Sequence, residues 1–280
     1  MTSPIKSTAV SLIAMAMLST PAFAQTVKED SDFDGVYIGG HVGYAAQPND
    51  GGERVLFDTT GDGNFNNVVR TTTGADAFGP GFCRGRANAN NAGAGCITDQ
   101  NGLDYGIRIG ADKRYGNFVL GALIEGNRSE AKDFVSAFSS TPANYTFTRE
   151  LDYAISARAR AGYTPGGGIL FYATGGASYG RIENSFQTSN GANAFANNGN
   201  DWSWGYQAGG GAEAKIARNM SIGMEYLYNS YTNDDFVVNV SRGTAPATNP
   251  FLLASGETDM RRSDRSFNFH SLRVTTMFRF

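Results

Sequence analysis

Seven charged residues, Arg108, Glu125, Arg158, Arg160, Glu213, Glu225 and Arg273, each stand between two apolar or glycine neighbours. Charges in such surroundings must be paired if they are buried, and removing one partner strands the other at a cost of ~3–5 kcal/mol. The same side chains around a water-filled lumen would instead form a selectivity ring. Their signs nearly balance, as mutual pairing requires. His270 and Ser271, with Asp264 nearby, are the closest approach to a hydrolytic set. Neighbouring residues of a strand point to opposite faces, so no nucleophile, base and orienter converge, and no enzyme is expected.

Asp58-Thr59-Thr60-Gly61-Asp62-Gly63-Asn64-Phe65-Asn66 partly matches a calcium loop, but Val69 stands where the closing Glu belongs. Asn/Asp/Gly turn chemistry is the simpler reading. Cys83 and Cys96 lack neighbouring ligands for a metal and are expected to form a disulfide in an exported chain. Neither a metal nor a cofactor is expected. Arg261, Arg262 and Arg265 cluster before the last apolar segment. They suit phosphates of lipopolysaccharide through guanidinium forks, or they belong to a solvated loop.

The elements that must hold these charges are extended. From Leu103 to Arg114, Leu103, Tyr105, Ile107, Ile109 and Ala111 share one face, while Asp104, Arg108 and Asp112 share the other. Period-two alternation over ~9–11 residues is what a tilted strand needs to cross a bilayer. The pattern recurs over Asp34–Tyr44, Phe118–Gly126, Leu151–Tyr163, Ile169–Arg181, Trp204–Ile216, Ser221–Tyr228 and Phe267–Phe280. That makes eight strands, with the seven charges on the inward faces. In Ile169–Arg181 the run Leu170-Phe171-Tyr172 blurs the phase, and Phe171 is placed outward. Short connections, Tyr115-Gly116-Asn117, Thr164 to Gly168 and Ala217-Arg218-Asn219, alternate with long polar ones, the longest spanning 46–102. Tyr and Trp gather near the ends of the outward faces, as in interfacial girdles.

The fold expected is therefore all-β: an eight-stranded antiparallel transmembrane β-barrel over 34–280, with short periplasmic turns and long extracellular loops. An export signal precedes it. Lys6, an apolar run from Ala9 to Leu18 and Pro21-Ala22-Phe23-Ala24 fit a signal peptide over 1–24, followed by a periplasmic segment over 25–33. No later stretch approaches the ~20 apolar residues of a spanning helix. Hydrophobic residues make up 41% of the chain and the net charge is −3, so no nucleic-acid partner is indicated.

Several short motifs carry a resemblance. They are Gly35-Val36-Tyr37-Ile38-Gly39-Gly40, Arg158-Ala159-Arg160-Ala161-Gly162-Tyr163, Tyr172 to Gly180, Gly209 to Glu213, Met224 to Tyr228, and a last strand ending on Phe280. In order and spacing this set resembles the porin-like outer-membrane proteins of alphaproteobacteria, of the opacity and immunogenic surface-protein type. The resemblance implies integral residence in the outer membrane and Phe280 as the signal read by the barrel-assembly machinery. It implies outer-membrane lipid and lipopolysaccharide as surroundings. The 46–102 loop departs from it in length. An eight-stranded barrel is just wide enough for its side chains to fill it. A structural or surface-interaction role with a charge-plugged interior is thus expected. Passage of small solutes, or binding of haem or a host protein through the loops, are the alternatives.

Overall fold

The computed structural model describes residues 33–48 and 51–280. The signal-peptide segment, and the 25–33 segment apart from Phe33, lie outside the described residues. Eight strands make the barrel: β1 Gly35–Ala46, β2 Gly102–Tyr115, β3 Phe118–Ser129, β4 Ala143–Tyr163, β5 Ile169–Thr188, β6 Asp201–Ala217, β7 Met220–Thr232 and β8 Ser266–Arg279. Each pairs antiparallel with the next, and β8 returns to β1 through pairs such as Ile38↔Phe278 and Val42↔Val274. Closure removes every sheet edge and leaves no backbone polar group facing lipid.

Alternation sets which face meets the bilayer. Along β2, Ile107 is 73% exposed, Arg108 2% and Ile109 54%. The blurred phase of β5 resolves as expected, with Phe171 outward and Leu170 and Tyr172 inside. Inward glycines sit close against the backbone of the neighbouring strand. A Cβ on Gly176 would lie 2.0 Å from the Ala157 carbonyl oxygen and 2.7 Å from the Arg158 Cα, its partner in the ladder.

Two findings depart from the sequence expectation. Strands β4 and β5 run 21 and 20 residues, well past the Leu151 and Arg181 limits expected for them. The outer half of β4 is mostly buried against protein, and that of β5 buries one face while the other exposes Glu183, Ser185 and Gln187, so neither carries a lipid-facing apolar stripe. A β-bulge between Arg181 and Ile182 marks where they leave the ladder of the membrane portion.

The long connections, expected only as polar loops, fold together into a dome. Lys132–Ser139 pairs with the outer half of β4, and Gly81–Cys83 pairs with that segment in turn. Opposite stands a four-stranded sheet in the order Ala194–Asn197, Val238–Ser241, Thr258–Arg262, Val55–Asp58. Between them lies an apolar core of Val55, Phe57, Phe78, Val135, Tyr145, Phe147, Phe236, Val238, Val240, Phe251 and Met260. Cys83 and Cys96 are disulfide-bonded, as expected, and staple the first loop beside the Arg86–Ala87 and Cys96–Ile97 ribbon.

Two outcomes test this architecture. Ile109→Arg places a charge on the lipid face near mid-membrane and should cost ~2–4 kcal/mol in urea unfolding from lipid vesicles. Replacing both cysteines by serine should destabilise the dome by on the order of 3 kcal/mol. Limited proteolysis should then cut at the exposed Arg84 and Arg86 while the barrel strands stay protected.

Candidate functional site: the charged interior

The inward charges assemble in tiers. Nearest the periplasmic turns, Arg160 from β4 and Arg279 from β8 face Asp112 from β2 and Glu213 from β6. Arg160 forks onto Asp112, with its Nε 2.8 Å from Oδ1, and its Nη1 lies 2.9 Å from Glu213. Arg279 reaches Asp112 at 2.9 Å and Glu213 at 3.3 Å, and the Ser221 hydroxyl donates to Glu213 at 2.6 Å. The Arg160 guanidinium is sandwiched over the Tyr37 and Tyr172 rings at 5.1 and 4.9 Å. Below, Phe33, Val119 and Leu170 close the floor with Tyr172.

One step outward, Arg108, Arg158 and Arg273 face Glu125, Glu225 and Asp104. Arg108 lies 2.6 Å from Glu125 and 2.9 Å from Glu225. Arg158 lies 2.8 Å from Glu125, and Arg273 lies 2.8 Å from both Glu125 and Asp104. His41 adds a contact to Asp104 at 3.3 Å. The Tyr172 hydroxyl donates to Glu225 at 3.0 Å and ties the two tiers together. Each tier holds as many arginines as carboxylates, and every charged side chain in the second tier is fully buried. Above it, Leu151, Ile182, Tyr231, Phe267 and Phe269 form an apolar layer.

A third cluster joins barrel to dome, outside the bilayer. Arg149 lies 2.7 Å from Asp133 and 3.2 Å from Asp264. Arg262 lies 2.7 Å from Glu53 and also reaches Asp133. Burial pushes the Glu53 carboxyl up despite Arg262. Burial alone would raise Asp133 as well, but Arg262 and Arg149 outweigh it and hold that carboxyl low. Asp99, which accepts the Phe134 N–H at 2.8 Å, is pushed up to about 7 by burial and then by the Asp133 charge.

All seven charges singled out in the sequence stand in the first two tiers. Asp104, Asp112 and His41 lie on faces that the alternation had placed inward, but they were not counted with the charges. Arg279 follows the same parity from Arg273 through Met277. The third cluster had no such signal, since Glu53, Asp133 and Arg262 come from separate connections.

Arg262 corrects an expectation. It is buried between two carboxylates and presents nothing to lipopolysaccharide. Arg261 lies over the Phe65 ring at 4.1 Å, and Arg265 pairs with Asp234. His270 sits on the outer face, its Nδ1 2.7 Å from the Tyr226 hydroxyl. Ser271 is buried inside and Asp264 is engaged by Arg149, so the three do not converge. The Asp58 carboxylate accepts backbone N–H groups from Thr60, Gly61 and Gly63 at 3.0, 2.8 and 2.7 Å, which is turn chemistry. Phe280 is 84% exposed, and its N–H donates to the Val36 carbonyl.

Glu225→Gln should cost ~3–5 kcal/mol in the urea midpoint in detergent, because Arg108 and Arg158 lose a shared partner. Adding Arg158→Met should restore part of that loss. For Asp99, the folded state holds its proton more tightly than the unfolded chain does. Dome stability should therefore fall as pH rises from about 4 to about 7 and then level off. Asp99→Asn should flatten that slope, read as dome unfolding midpoints at about pH 5 and about pH 8.

Comparison with known proteins agrees with this architecture. A family model described as outer membrane protein beta-barrel domain matches residues 10–244. The 31 kDa outer-membrane immunogenic proteins of Brucella melitensis and Brucella suis are each 27% identical over 180 residues, covering 64% of this chain and 67% of theirs. Among solved structures, OprG from Pseudomonas aeruginosa aligns over 89% of this chain and 98% of its own, at 12% identity and a TM-score of 0.46. Neisserial surface protein A aligns over 88% and 98%, at 10% identity and a TM-score of 0.36. The family match extends from near the start of the chain into the last extracellular connection, so the chain belongs to the outer membrane beta-barrel family and resides as an integral protein in the outer membrane.

Proposed function

We propose that this protein is a sealed, non-conducting barrel that anchors an extracellular dome, and that the dome is its interaction surface. One observation carries the reading: the two inner tiers pair arginines with carboxylates across the whole lumen, on side chains withdrawn from solvent. An eight-stranded ring has no width to spare beyond such a filling. The separation of His270, Ser271 and Asp264 favours binding over catalysis.

On this reading the dome is the surface that would meet an extracellular ligand, haem or a host protein. A cavity of about 260 Å³ opens among Phe78, Tyr145, Phe251, Asn190 and Asn249. Phe280, exposed at the periplasmic end, is the proposed handle for the barrel-assembly machinery.

Planar-bilayer recordings test the seal. The unmodified protein should insert without reproducible conductance steps, whereas Arg108→Ala with Arg158→Ala and Glu225→Ala should give them. Steady steps from the unmodified barrel would instead establish passage of small solutes.

A further inference from the structure

The outward faces change character where β3, β4 and β5 leave the apolar belt. On β5, Ala177 gives way to Tyr179, Arg181 and Glu183; on β4, Ile155 gives way to Tyr153; on β3, Ile124 gives way to Arg128. Arg128 stands opposite Tyr105, and Arg181 stands between Tyr153 and Trp202. Because of the bulge at Arg181/Ile182, Asp152 has no partner in the ladder. Its carboxylate sits between the two guanidiniums, 3.5 Å from Arg128 and 3.6 Å from Arg181.

Those distances exceed good hydrogen-bond lengths. The arginine side chains are 51% and 40% exposed, against 20% for Asp152. One carboxylate cannot neutralise two guanidiniums, each with five N–H donors. Nearby, Glu150 is taken by Lys132 at 2.8 Å, while Glu130 and Glu183, each two residues past an arginine on the same face, lie farther out and, among the described residues, form no ion pair with either guanidinium. The ladder partners of Arg181, Tyr153 and Trp202, belong to an aromatic cluster that continues to Tyr179 and Trp204. Trp202 stacks on Tyr179 at 5.0 Å and meets Tyr153 edge-on at 5.2 Å. Trp204 lies 4.8 Å from Tyr179. Such girdles mark the bilayer interface, so the two guanidiniums stand at headgroup depth.

The geometry points to Arg128 and Arg181, held apart by Asp152, as a docking site for a phosphate on an outer-leaflet glycolipid, with Tyr153, Tyr179 and Trp202 supporting its sugar and the first part of its acyl chains. Guanidinium forks match phosphate oxygens in pairs, which lysine at the same positions would not. This site lies on the flank of the barrel, apart from the Arg261, Arg262 and Arg265 stretch.

Native mass spectrometry of the full-length protein in detergent tests the assignment, with bisphosphorylated lipid A, the same lipid with its phosphates removed, and inorganic phosphate as probes. Lipid A should bind, the phosphate-free lipid should bind roughly tenfold more weakly, and inorganic phosphate should neither bind nor compete. Arg128→Gln with Arg181→Gln should bring lipid A down to the phosphate-free level. Asp152→Asn should strengthen binding by freeing both guanidiniums, whereas a merely structural salt bridge would give a less stable barrel and no gain. Equal binding of the two lipids, competition by inorganic phosphate, or unchanged affinity in either variant would overturn the site.

Discussion

A charge taken out of water must be neutralised where it stands, and the rest of this structure is arranged around that constraint. Arg160 and Arg279 meet Asp112 and Glu213 within one tier; Arg108, Arg158 and Arg273 meet Glu125, Glu225 and Asp104 within the next. Neither tier borrows charge from the other. Some partners are hairpin neighbours, as Arg108 and Glu125 are, but Arg108 with Glu225 and Arg273 with Asp104 come from strands far apart in sequence, and those pairs also fix how the ring is closed. The inward glycines serve the same filling, since a Cβ on Gly110 would strike the Tyr37 ring and one on Gly121 the Asp112 carboxylate.

Much of the barrel was legible in the sequence because lipid imposes a strict two-residue period on every strand. Ile107 and Ile109 flanking Arg108 declare their faces without any knowledge of the partners. Even Leu170-Phe171-Tyr172 could be phased, because the residues on either side kept the beat. The interior was legible by face but not by contact. Nothing local says that Glu225 serves both Arg108 and Arg158, or that Tyr172 bridges the tiers.

The dome left no comparable trace. Its sheet uses segments of four or five residues, too short to display a period. Its core gathers Phe57, Phe78, Phe147, Phe236 and Phe251 from distant parts of the chain, most of them from connections that read as polar loop. The ion pair between Glu53 and Arg262 spans 209 residues. Such contacts become visible only once the barrel has brought the connections to one end.

The sheet of the dome places Val55–Asp58, which follows β1, directly against Thr258–Arg262, which precedes β8. These segments come from opposite ends of the barrel sequence and lead directly from the β1–β8 seam. The closing seam of the barrel and this pairing of the dome sheet thus bring the same two ends of the chain together. Any molecule that recognises the finished sheet therefore reads the first and last connections of the barrel as one surface.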